Sequence, residues 1–169
     1  MKVRIALPAD IPRLVDFLNK VWKQMALPYV ATIEGYSSFG LDTKAKGTRI
    51  AILEDGGQIL ALLGSAPVET DQGPGFVINR VVVDQDRPDK IDLLDRLCLW
   101  SGKLAALEGR PIILSADAKK EYAYGRDALG MEAEDHGVNM ETGKTERIQM
   151  TAHVKDIVKA ILLRHPDWT

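Results

Sequence analysis

The chain has 169 residues, enough for one domain with a sizeable core, and 46% of them are apolar, ordinary for a soluble globular protein. A formal charge of −2 gives a nucleic-acid role no electrostatic support. One cysteine, Cys98, excludes an internal disulfide and fits a reducing compartment, and neither a membrane helix nor a signal peptide is expected from any apolar run.

The alternation of Lys2 to Leu7 predicts a first strand, broken by Pro8. Asp10 is suited to cap the helix that follows, with Pro12 tolerated in its first turn. Ile11, Leu14, Val15, Leu18, Val21, Trp22 and Met25 then recur at spacings of three and four, one face of a helix that Pro28 ends. Residues 28 to 47 read as a long surface connection held down by Tyr29, Tyr36 and Phe39, with room for a short helix at Leu41 to Ala45.

Arg49 to Leu53 and Gln58 to Leu63 are apolar strands, and Asp55-Gly56-Gly57 supplies the positive φ that a tight hairpin needs. Gly73-Pro74-Gly75 predicts another turn, followed by a strand from Phe76 to Val83 whose three consecutive valines suggest burial on both faces. After a short polar loop, Asp89 is placed to cap a helix with Ile91, Leu94, Leu97, Cys98, Ser101, Leu104 and Ala105 on one face, ended by Gly109. Pro111 to Ser115 is a short strand, Ala118 to Leu129 a helix ended by Gly130, and residues 131–140 and 145–151 strands around Glu141-Thr142-Gly143. Val154, Ile157, Val158, Ile161 and Leu162 form a last helical stripe that either docks or faces a partner. A strand–helix–strand unit with hairpins before and after it argues for an α/β (α+β mixed sheet) protein with helices on both faces.

Chemical motifs are sparse. His136, His153 and His165 have no carboxylate or cysteine at ligand spacing, so no metal is expected. A nucleophile elbow, a Walker loop and a G-x-G-x-x-G are all missing from the sequence.

Over roughly residues 2 to 150 the pattern resembles the GNAT superfamily of N-acyltransferases. VRIALPADIPRLVDFLNKVW is similar to its opening strand and helix, RIAILEDGGQILALLGSA to its central hairpin, FVINRVVVDQD to its fourth strand, and PIILSADAKKEYAYGRDALGMEAE to its fifth strand and following helix. The resemblance implies a GNAT-like domain over 1–151, with 152–169 as a C-terminal helix and tail. It implies that acyl-CoA sits where the fourth and fifth strands part, with the pantetheine arm on the backbone of Val81 and Val83. The pyrophosphate would sit on the next loop, whose family pattern is Arg or Gln, two residues, Gly, one residue, then Gly or Ala. Arg87 takes the first position, which makes Arg87 and Lys90 the candidate cofactor-binding side chains. Here Lys90 and Asp92 replace both small residues, and their side chains stand where a bare backbone would approach phosphate. Asp89 and Asp92 are also placed to take the free N–H groups of the helix start and to repel an anion.

The candidate catalytic residues are Asn79, where a general-base carboxylate is sometimes found in the family, and Tyr124, as acid toward the leaving thiolate. The family's tyrosine position, four before Gly130, holds Arg126, and Tyr122 and Tyr124 lie off that register. The favoured expectation is a GNAT-fold protein with a degraded acyl-CoA site, acting as a non-catalytic structural or assembly component. A weaker resemblance, mostly in the last third, is to GNAT-like phage virion proteins. The alternative is an acetyl-CoA-dependent N-acetyltransferase acting on a primary amine. The cofactor is accordingly none, or acetyl-CoA if active. Protein partners or self-association are expected, without nucleic acid or membrane, in the cytoplasm or, for a phage-encoded chain, in the virion.

Overall fold

The computed structural model describes residues 1–39, 49–117, 124–138 and 145–168. The strands are β1 (Lys2–Ile5), β2 (Arg49–Asp55), β3 (Gln58–Thr70), β4 (Gly73–Val83), β5 (Ile112–Asp117), β6 (Glu132–Val138) and β7 (Thr145–His153). The helices are α1 (Ile11–Gln24), α2 (Ile33–Phe39), α3 (Lys90–Leu107) and α4 (Val154–Arg164). Hydrogen-bonded neighbours follow the order β1-β2-β3-β4-β5-β7-β6. The β4–β5 pair is parallel, and β1–β2, β2–β3, β5–β7 and β6–β7 are antiparallel, so the sheet is mixed as expected. Among the described residues no helix is long and apolar enough to cross a membrane.

The chain divides into two compact units, Met1–Ala66 with Arg80–Leu97, and Pro67–Asn79 with Cys98–Thr169. In the first, Leu14, Leu18 and Val21 of α1 are fully buried in a cluster with Ile50, Ile52, Ile59 and Leu62 of the β2–β3 hairpin. Ile59 and Leu62 differ in parity yet share that cluster. A register shift at Leu53/Glu54, where Glu54 pairs with Ile59, reverses the alternation between them. The hairpin turn is Gly56-Gly57 at φ +54° and +81°, as the sequence predicts. Ala51, Leu53, Ala61 and Leu63 are also buried, so the ladder is covered on both faces.

Asp10 departs from its expected role. Its side chain does not cap α1. Instead its carboxylate accepts from the Leu7 N–H (2.7 Å) and from both Nη atoms of Arg4 (2.7 and 2.8 Å), with Arg13 Nη1 at 3.1 Å. Glu54 accepts from Arg4 Nε and Arg13 Nη2, each at 2.9 Å, which closes a four-membered ionic network over the start of α1.

In the second unit β4 and β5 run parallel from the Gly75–Ile112 pair to the Ile78–Ser115 pair, and β7 lies antiparallel between β5 and β6. Val154, Ile157 and Ile161 bury the inner face of α4. A Cβ placed on Gly102 of α3 would lie 3.5 Å from Val154 and Val158, so the terminal stripe docks on α3 at a glycine.

Other boundaries move. The turn before β4 falls at residues 71–72 rather than at Gly73-Pro74-Gly75, which lies within the strand. Val81, Val82 and Val83 are half-buried rather than buried on both faces, and Ile91 is exposed. The short helix after α1 lies at 33–39; the expected site at 41–45 lies outside the described residues, as do Tyr122, the first half of the helix predicted at 118–129, and the turn at 141–143. The described end of that helix, Tyr124–Ala128, is a π-helical turn with the Leu129 N–H on the Tyr124 carbonyl.

Candidate functional site

The loop from β4 to α3 lies wholly within the first unit, and two side chains of α1 hold it. Lys20 and Gln24 are one turn apart and therefore share a helix face. Lys20 Nζ lies 2.6 Å from Asp84 Oδ2. Gln24 uses its whole amide: Nε2 donates to Asp84 Oδ1 (2.9 Å) and Asp86 Oδ2 (2.8 Å), and Oε1 accepts from the Gln85 N–H (3.0 Å). Asp84 is 6% exposed. Burial alone would raise its pKa, but Lys20, Gln24 and the Asp86 N–H more than offset that and hold it below the ordinary carboxylate value.

The backbone donors from Asp84 to Arg87 are consumed internally. The Asp84 N–H donates to the Leu60 carbonyl (3.0 Å), Gln85 to Gln24, Asp86 to Asp84 Oδ1 (3.2 Å) and Arg87 to the Asp84 carbonyl (3.3 Å), while Pro88 has no N–H. The side chains behave alike. Arg87 grips Asp89 across Pro88 through Nε–Oδ1 (2.9 Å) and Nη2–Oδ2 (2.7 Å), and Lys90 Nζ reaches the Gln85 carbonyl at 3.4 Å. The Arg87 guanidinium lowers the Asp89 pKa and Asp89 raises that of Arg87. This corrects the expected use of Asp89: its carboxylate is held by Arg87, while its backbone carbonyl receives the first helical bond, from the Leu93 N–H (3.1 Å).

Substituting Lys20→Met removes the one cation paired with Asp84 among the described residues and leaves the neutral donors in place. Because Lys20 is half exposed, the expected loss is about 1–2 kcal/mol, below the range for fully buried pairs, with the Asp84 pKa rising. Urea unfolding and carboxyl titration by NMR check both.

Of the remaining candidates, Val81 and Val83 are half-buried on the part of β4 that runs beyond its described pairing with β5, which ends at Ile78. Asn79 is exposed and Tyr124 half-buried; both belong to the second unit, whereas Val81, Val83, Arg87 and Lys90 belong to the first. Arg126 is in the same π-helical turn as Tyr124. Among the described residues no group of three or more His, Cys, Asp or Glu is placed to hold a metal ion. Sequence reading missed Lys20 and Gln24, for which the only local signal was two polar residues one turn apart. It also missed Arg80, whose guanidinium lies over the Tyr36 ring, 5.5 Å from its centre.

No protein-family model and no curated protein sequence matches the chain. Solved structures do. An aminoglycoside 6'-acetyltransferase type Ii superposes with a TM-score of 0.69 at 16% identity, over 91% of this chain and 97% of that one. The acetyltransferase of the GNAT family from Streptococcus pneumoniae gives 0.64 at 18%, over 90% and 98%. A putative acetyltransferase from Salmonella typhimurium, solved with its cofactor acetyl-CoA, gives 0.62 at 15%, over 90% and 93%. The chain therefore has the GNAT fold.

Proposed function

We propose that this is a GNAT-fold protein whose acyl-CoA site is degraded and that it acts as a non-catalytic structural or assembly component. The observation that carries the reading is the loop between β4 and α3, in which every N–H from Asp84 to Arg87 already has a partner within the first unit. A diphosphate at this loop would find those donors taken and would compete for the Arg87 guanidinium, leaving it the first-turn N–H groups of α3. It would have to displace Asp89 from Arg87, and Asp84, Asp86 and Asp89 would stay nearby as carboxylates beside an anion. These contacts support a loop that does not take the group, and fold alone does not supply the activity. In this reading the protein works through contacts with other proteins or with its own copies, inside the cell or, for a phage-encoded chain, in the particle.

A second reading is an acetyl-CoA-dependent N-acetyltransferase acting on a primary amine. It is supported by the fold shared with acetyltransferases, one of them solved with acetyl-CoA, and by β4 running on past its pairing with β5.

Thermal unfolding with millimolar acetyl-CoA separates them. A ligand present at a hundred times its Kd adds about 2.7 kcal/mol, on the order of 5–10 °C for a chain of this size. The expected shift is below about 1 °C on that scale. A shift of several degrees, with thiol release toward an amine, establishes the enzyme instead.

A further inference from the structure

Arg80 and Tyr36 lie in the same unit and outside the β4–α3 loop. Arg80 alternates with Val82, which packs against the α1–α2 cluster, so Arg80 projects from β4 toward that side. Its guanidinium sits over the Tyr36 ring, and among the described residues no carboxylate pairs with it. Loss of water at the guanidinium lowers its pKa, though the residue as a whole is exposed. Tyr36 is 8% exposed, and its hydroxyl is buried with no hydrogen-bond partner among the described residues. Buried Tyr hydroxyls ordinarily find one.

We propose that Arg80 and Tyr36 form a receptor for the carboxylate of a small molecule. The pair offers a guanidinium fork and one phenolic O–H, all donors. A planar group that only accepts fits that set, and carboxylates take guanidinium bidentately. One cation balances one negative charge, which favours a carboxylate over a dianionic phosphate. The hydroxyl is closed off from water in this form. Binding in this proposal includes a movement of the exposed Arg80 side chain relative to the ring, which brings a carboxylate oxygen to the hydroxyl. The receptor stands whether or not the loop accepts a coenzyme, since neither residue touches that loop's bonds.

The test is titration of the isotope-labelled full chain with sodium acetate, with sodium phosphate and sodium chloride at matched ionic strength, read at the Arg80 Nε–H resonance. Acetate is expected to give a saturable shift that chloride and phosphate do not. Arg80→Gln should abolish the accompanying backbone shifts around residue 36. Tyr36→Phe should leave the fold at least as stable, because the hydroxyl has no partner to lose among the described residues, while weakening acetate about tenfold, or about 1.4 kcal/mol. An equal response to chloride or phosphate, no saturation, or unchanged acetate affinity in Tyr36→Phe overturns the proposal.

Discussion

Replacing Gly75 by alanine is expected to lower the unfolding free energy by about 3 kcal/mol, and Tm by roughly 6–12 °C. A Cβ at this position would lie 2.6 Å from the Ile112 carbonyl oxygen and 3.0 Å from the Ile112 Cβ. Gly75 and Ile112 are the first pair of the parallel β4–β5 ladder, so the atom it would meet is main chain held in register. Arg110 adds a second restraint by donating to the Gly75 carbonyl at 3.1 Å. Gly125 makes a useful control. A Cβ there would meet the Met150 thioether at 2.6 Å, closer on paper to an equal clash, but a methionine side chain can turn aside. The expected cost of Gly125→Ala is about 1–2 kcal/mol. Thermal unfolding of both variants checks the order; a harmless Gly75→Ala would contradict the β4–β5 register.

Asp10→Asn is expected to cost about 2 kcal/mol at neutral pH. Arg4 bonds both carboxylate oxygens and, although burial works the other way, holds the Asp10 pKa down from 3.8 to about 2, with the Leu7 N–H and Arg13 adding to it. A shift of that size corresponds to roughly 2 kcal/mol of stability at this nearly buried group. The folded pKa is the lower one, so the contribution is fully present above the unfolded value near 4 and is lost as pH falls from there toward 2. Asparagine can still accept the Leu7 N–H, but its amide group faces Arg4 and carries no charge. The gap between wild type and variant should therefore be widest at neutral pH and shrink through that acid window. Urea unfolding at a series of pH values measures it; a gap that stays constant to pH 2 would show that the charge on Asp10 is not what stabilises the fold.

Much of the fold was legible because its signals are local. The Gly56-Gly57 hairpin, the apolar stripes of α1 and α4, and the glycine at φ +69° that ends α3 each follow from residues within a few positions of one another. Part of what the sequence does not show is long-range and part is side-chain pairing with no periodic signal. The sequence predicts a strand from Gln58 to Leu63, yet β3 continues to Thr70, since neighbouring strands decide its length rather than propensity. Asp10 and Asp89 do stand at the helix starts the sequence predicts, but the carboxylate of each is held by an arginine. For Asp89 that arginine is only two residues away, and Pro88 between them hides the pairing from any periodic pattern. For the loop, the absent small residues at Lys90 and Asp92 were visible in the sequence, but the hold exerted by Lys20 and Gln24 was not, because they lie 64 and 60 positions from Asp84.

The tip of the β2–β3 hairpin looks, from its two glycines, like a free surface turn. Yet the Gly57 carbonyl accepts from Arg13 Nη2 at 2.7 Å, and the same nitrogen reaches Glu54. An epitope tag or a circular-permutation opening placed there would cut a strut of α1 rather than decorate an idle bend. Protein engineers seeking a permissive splice point would do better at Asp71-Gln72, where exposed side chains cross the turn between β3 and β4.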